Sequence, residues 1–155
     1  MTQELDEIDR KIMDILAKDG RAAVTEISRQ VGLSKTPCQL RMKRLEKLGY
    51  ILGYHAILSA EKLDRSHVAF VEVKLSSTVG TALAAFNRAV QRIPAIEQCH
   101  MIAGGFDYLL KVRTRNIEAY RAVLADEISR LPHVAQTSTY VSMEAVKEVA
   151  APPAA

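Results

Sequence analysis

The sequence predicts an α+β protein, and three observations carry that prediction. Apolar residues recur at helical spacing over roughly the first 50 residues, punctuated by Gly20, Gly32 and Gly49. Between residues 68 and 143, β-branched runs alternate with two amphipathic helical stretches. Five basic side chains against one acidic are packed into residues 35–47.

Taken in order, Asp6 is placed to cap a first helix, with Asp9 at its third position in a capping-box arrangement. Ile8, Ile12, Ile15 and Leu16 form its inner face beside Met13, and Asp19-Gly20 ends it. Thr25 is expected to cap a second helix carrying Ile27 and Val31. Gly32 makes a sharp turn, where positive φ costs glycine little, and Leu33 plugs it. Ser34 caps a third helix with Pro37 in its first turn, where a missing N–H is tolerated. Leu40, Met42, Leu45 and Leu48 are expected to face the core. Lys35, Arg41, Lys43, Arg44 and Lys47 lie between and beside them, opposed only by Glu46. Gly49-Tyr50-Ile51 ends this helix, and Gly53–Leu58 reads as a wing strand.

Helix, glycine turn, basic helix and strand make a winged helix-turn-helix, which implies contact with double-stranded DNA. Ser34, Thr36 and Gln39 can reach base edges or phosphates. Arg41 and Arg44, with Lys35, Lys43 and Lys47, can meet phosphate, and the arginines guanine if they enter the groove.

The second unit opens with a strand at Val68–Leu75. A helix over Thr81–Arg92 follows, with Leu83, Phe86 and Val90 on one face, and Pro94 breaks it. Ile96–Ala103 is a strand, Gly104-Gly105 a turn, and Asp107–Arg113 the returning strand. Asn116 caps a helix reaching Arg130, with Ile117, Tyr120, Leu124 and Ile128 inward, and Val134–Met143 closes the unit. The order β-α-β-β-α-β is the ferredoxin-like split unit. Its helices cover one face only, so a second chain is expected on the other, making a homodimer. The expected organisation is 1–54 DNA-binding, 55–65 strand linker, 66–148 ferredoxin-like, and 149–155 a flexible tail.

Composition narrows the function classes. At 155 residues, 48% hydrophobic and 25% charged, the chain suits a soluble globular protein. Its net charge of +3 is mild, and residues 1–65 carry 12 basic and 10 acidic side chains, so DNA affinity is expected to need more than one subunit. No signal peptide and no apolar run near 18 residues is visible, which predicts a cytoplasmic protein with no membrane partner. Cys38 and Cys99, and the histidines at 55, 67, 100 and 133, lack metal-binding spacing, so neither a metal nor a cofactor is expected. Cys38 reads as a small packing residue, with redox sensing the alternative. Cys99 and His100 are adjacent on a strand and point to opposite faces, which argues against a shared catalytic site.

Several motifs keep their order and spacing: LDEIDRKIMDILxKDGR, LSxTxCxxRxKRLExxGYIxGY, FNxAVQ, IxxCH, GxFDYLLKV and AYR. With the domain order, they resemble the Lrp/AsnC (feast/famine) transcriptional regulators over residues 4–148, and within them the leucine-responsive group. The resemblance implies a bacterial-type, nucleoid-associated regulator. It also implies dimers that assemble further, to octamers, and a small amino-acid effector bound where C-terminal domains meet. The effector segment it implies is Met101, Ala103, Gly104, Gly105, Phe106 and Asp107, facing Thr137, Thr139 and Tyr140. Exposed amides around Gly104 and Gly105 can hold a carboxylate, and Asp107 an ammonium. Gly105 departs from the polar or charged residue many relatives carry there. The effectors expected are leucine, another branched-chain amino acid or proline. An architectural DNA-binding protein without an effector is the alternative, and an enzyme the third reading.

Overall fold

The structure, a computed structural model, describes residues 5–148, so the tail expected at 149–155 lies outside the described residues. Two compact units divide between Ile57 and Leu58.

The first unit is three helices: α1 (Glu7–Lys18), α2 (Val24–Val31) and α3 (Lys35–Lys47). Asp6 accepts the Asp9 amide at 2.8 Å while Asp9 accepts that of Asp6, so two N-terminal donors are satisfied reciprocally. Ile12, Leu16, Ile27, Cys38 and Leu45 form the core. Gly32 (φ 73) ends α2 and Gly49 (φ 77) follows α3, both in the left-handed region.

Three sequence expectations fail here, and a fourth, the Ser34 cap, holds in position only. Ala23, not Thr25, is the N-cap of α2, so Thr25 lies inside the first turn, where its carbonyl accepts the Ser28 hydroxyl. Leu40 and Leu48 are 63% and 49% exposed instead of core-facing. Leucine on a short helix reads as core by type, but the three-helix packing takes up only the Cys38–Leu45 side. Ser34 is the N-cap of α3 by backbone geometry, yet its side chain makes no cap bond. The wing strand at Gly53–Leu58 is not formed. A strand needs a partner to satisfy its backbone, and the amides of residues 52–58 have none among the described residues. Tyr54 is nonetheless tethered: its hydroxyl donates to Glu46 of α3 at 2.9 Å, and burial plus that carboxylate push its pKa up to about 12.

The second unit runs β1 (His67–Leu75), α4 (Gly80–Val90), β2 (Ile96–Met101), β3 (Tyr108–Thr114), α5 (Ile117–Asp126), a 3-10 turn (Ile128–Arg130) and β4 (Val134–Val141). All pairings are antiparallel, in the order β2-β3-β1-β4. Alternation on β1 and β3 sends Ala69, Val71, Val73, Leu75, Tyr108, Leu110 and Val112 against Phe86, Val90, Tyr120 and Ile128. The rings of Phe86 and Tyr108 lie 4.4 Å apart. The opposite face carries Phe70, Glu72, Lys74 and Tyr140, none of them buried. Asn116 caps α5 by accepting the Ala119 amide at 2.9 Å. Ile117, expected inward, is 47% exposed: as the first helical residue it precedes the turn that packs on the sheet. The predicted single helix to Arg130 breaks at Glu127 into the 3-10 turn, which still buries Ile128.

Candidate DNA-binding and effector sites

On α3, positions 36, 39, 40, 43 and 47 fall on one stripe by helical spacing. Thr36, Gln39, Leu40, Lys43 and Lys47 are all exposed, as are Ser34 and Lys35 at the N-terminus. The uncapped Ser34 hydroxyl is free to bond elsewhere. Leu40 is the residue sequence reasoning missed. It offers apolar surface of the kind that meets a thymine methyl. Its place three residues before Lys43 and four after Thr36 was the available signal.

Arg41 and Arg44 are placed differently from the expectation. Arg41 Nη1 donates to Asp6 Oδ2 at 2.6 Å and to Asp9 Oδ1 at 2.9 Å, and Arg44 Nη2 donates to Asp9 Oδ2. Asp9 is fully buried. These two cations are therefore spent on α1, leaving Lys35, Lys43 and Lys47 as the exposed positive charges of α3. The reason is electrostatic: a buried carboxylate without cationic partners is far costlier than two arginines turned from solvent.

The Asp9 amide and the Arg41 guanidinium hold the Asp6 carboxyl below its ordinary 3.8, and Arg41 is raised in return, by Asp6 first and then Asp9. Because the folded value is depressed, this contribution to stability is complete above 3.8 and is lost as pH falls through the lowered value. Asp6→Asn, which keeps an N-cap side chain without the titrating charge, is expected to be less stable than the parent at neutral pH and to approach it as pH falls through that window. Circular dichroism against pH checks this. A stability gap that does not narrow on acidification would disprove it.

Burial raises the Cys38 thiol, despite the nearby Arg41. It is fully buried in the core, where a small, inert packing residue is what the site accepts.

The second candidate site centres on the loop between β2 and β3. Asp107 locks it: its amide donates to the Val73 carbonyl at 2.9 Å, and its carbonyl accepts the Ile102 amide at 2.9 Å. Its Oδ2 accepts the Leu75 amide at 2.7 Å, at the point where the β1–β4 register shifts. The other carboxylate oxygen has no partner among the described residues. Ala103, Gly104 and Gly105 are exposed, and their amides have no partner among the described residues. Lys74 Nζ donates to the Gly105 carbonyl at 3.3 Å.

Gly104 and Gly105 lack the positive φ of a two-residue hairpin turn, and a Cβ at Gly105 would meet nothing within 4 Å. The fold itself does not require glycine at 105. What the missing side chain leaves is open space beside free amides.

The remaining candidates lie apart. Met101 lines a groove of about 490 Å³ between α4 and β2, with Asn87, Cys99 and Tyr108. Phe106 is half-buried. Thr139 Oγ1 bonds the Tyr120 hydroxyl on the helix-covered face, the side Thr137 shares by alternation. Tyr140 reaches the opposite face, its hydroxyl 3.4 Å from Glu72 Oε2. A single chain thus gathers residues 103–107 but does not bring Thr137, Thr139 and Tyr140 to one side of the sheet.

A three-helix DNA-binding unit joined to an antiparallel α/β unit with an open, amide-lined loop defines a class: a helix-turn-helix transcription regulator with a small-ligand domain. Family comparison matches residues 5–46 to the AsnC-type helix-turn-helix domain and residues 68–152 to the Lrp/AsnC ligand binding domain. The chain belongs to the Lrp/AsnC family of regulators. It is 57% identical over 147 residues to a proline dehydrogenase transcriptional activator of Rhizobium radiobacter, covering 95% of this chain and 94% of that protein. A second activator of the same name, from Rhodobacter capsulatus, is 51% identical and covers 98% and 99%. The leucine-responsive regulatory protein of Escherichia coli K12 is 47% identical, covering 94% and 89%. Among solved structures, a Neisseria meningitidis transcriptional regulator in complex with L-Met superposes with a TM-score of 0.90 at 29% identity, over 97% of both chains.

Proposed function

We propose that this protein is a proline-responsive activator of a proline-catabolic gene, acting from the cytoplasm as a homo-oligomer. The carrying observation is the order of identities: 57% and 51% to proline dehydrogenase activators, against 47% to the leucine-responsive protein. Ser34, Lys35, Thr36, Gln39, Leu40, Lys43 and Lys47 meet the DNA, chosen for their exposure on α3. The effector's carboxylate sits on the Gly104 and Gly105 amides, and its ammonium on the free oxygen of Asp107. Tyr140, on the uncovered sheet face, completes the site from a neighbouring subunit, whereas Thr137 and Thr139 lie on the helix-covered side in every copy. Dimers pair through the uncovered sheet face and assemble further, to octamers. The effector acts by binding those assemblies with different affinity, because equal affinity would shift nothing.

The test is a thermal-shift screen of the purified protein against the twenty amino acids. At a hundredfold excess over its dissociation constant, a ligand adds about 2.7 kcal/mol. A dose-dependent rise with proline supports the reading, and a rise with leucine alone replaces the effector. A flat screen with intact DNA binding favours an architectural protein instead.

A further inference from the structure

Among the described residues the N-terminal unit has one fully buried carboxylate, and it belongs to α1, outside the DNA-facing stripe. Asp9 uses Oδ1 for Arg41 at 2.9 Å, and Oδ2 for both Arg44 and the Asp6 amide, the latter at 3.3 Å. Arg41 extends the bridge to Asp6 at 2.6 Å. Both arginines lie on the side of α3 that faces α1, while Lys43 and Lys47 face out. The Nε of Arg44 is buried and has no partner among the described residues. A guanidinium serving phosphate from the surface would keep that atom in water. Arg44 gives up hydration at Nε for the Asp9 contact, so its geometry is set by α1.

We propose that Asp9 is a positioning residue for DNA recognition: it clamps Arg41 and Arg44, and through them sets the rotation and axial register of the recognition helix against α1. An arginine is suited to this because its planar fork fixes direction as well as distance. A helix sliding by one residue moves 1.5 Å and turns about 100°, enough to take Thr36, Gln39 and Lys43 off their contacts. The proposal rests on the family's DNA-binding role and is independent of the effector reading.

The test is fluorescence anisotropy with a labelled mixed-sequence duplex, using the full chain. It is read at several salt concentrations and well below each variant's thermal midpoint. A phosphate contact contributes about 0.9 to the slope of log K against log salt. Asp9→Asn removes the charge that both arginines share, leaving Arg41 on Asp6 alone and Arg44 without a carboxylate. The expected result is a line displaced downward by about tenfold at every salt concentration, with unchanged slope, and recovery toward wild type in Asp9→Glu. Tighter binding with a steeper slope overturns the proposal, since Asp9 would then be holding DNA contacts in reserve. An unchanged line also overturns it, leaving Asp9 a structural brace only. Should Asp9→Asn fail to fold, Arg41→Gln serves, because Asp9 keeps Arg44. An unchanged slope with weaker binding supports positioning. A slope shallower by about 0.9 per subunit makes Arg41 a phosphate contact and overturns the proposal.

Discussion

Leu45→Ala is expected to abolish DNA binding by unfolding the first unit while the second stays folded. Leu45 is wholly buried at the centre of a five-residue core with Ile12, Leu16, Ile27 and Cys38. Truncating a buried leucine costs about 2–5 kcal/mol, the spread reflecting how far the site can collapse. A unit of this size is marginal, with a whole stability of only a few kcal/mol, so the loss is comparable to the total. The second core, built on Val71, Phe86, Tyr108 and Leu110, shares no residue with the first. Hydrogen exchange should therefore show protection lost in α1–α3 and kept in β1 and β3. Leu40→Ala is the control: that side chain is 63% exposed, and its stability change should stay within about 0.5 kcal/mol. Retained DNA affinity and an unchanged melt in Leu45→Ala would refute the argument.

The second large effect is expected at Asp107, where two substitutions separate two roles. Asp107→Ala removes both the proposed ammonium acceptor and the acceptor for the Leu75 amide at the β1 irregularity. A part-buried donor left unsatisfied costs about 1–3 kcal/mol, so this variant should melt earlier and lose the effector response together. Asp107→Asn retains a carbonyl oxygen for Leu75 but no negative charge. It should melt near wild type while effector affinity falls about 10-fold to 100-fold, the worth of a charge-assisted bond at roughly 1.5–3 kcal/mol. Calorimetric titration with the effector found by the screen reads this directly. Unchanged affinity in Asp107→Asn would move the ammonium site elsewhere.

Much of the architecture was legible beforehand, for reasons visible in particular residues. Ile12, Leu16, Phe86 and Val90 announce helix faces by spacing, and Val71 and Val73 announce a strand by alternation. Asp6 and Asn116 were readable as caps because a cap is a local bond over three residues. Failures came where the deciding partner is distant or absent. Thr25 looked like a cap, but tertiary packing starts α2 two residues earlier at Ala23. Gly53–Leu58 has strand composition but no strand beside it.

The sequence alone determined the three N-terminal helices, the β-α-β-β-α-β order, the main core positions and the family, because periodicity and motif spacing are properties of the chain itself. Only the tertiary structure decided what the charges do. Arg41 and Arg44 look like Lys43 and Lys47 in the sequence, yet the first two face Asp6 and Asp9 and the other two face solvent. Asp107 likewise read as a ligand residue alone, yet one of its carboxylate oxygens holds the Leu75 amide. A charged side chain's role is set by what lies within about 4 Å of it, and those neighbours come from residues more than thirty positions away.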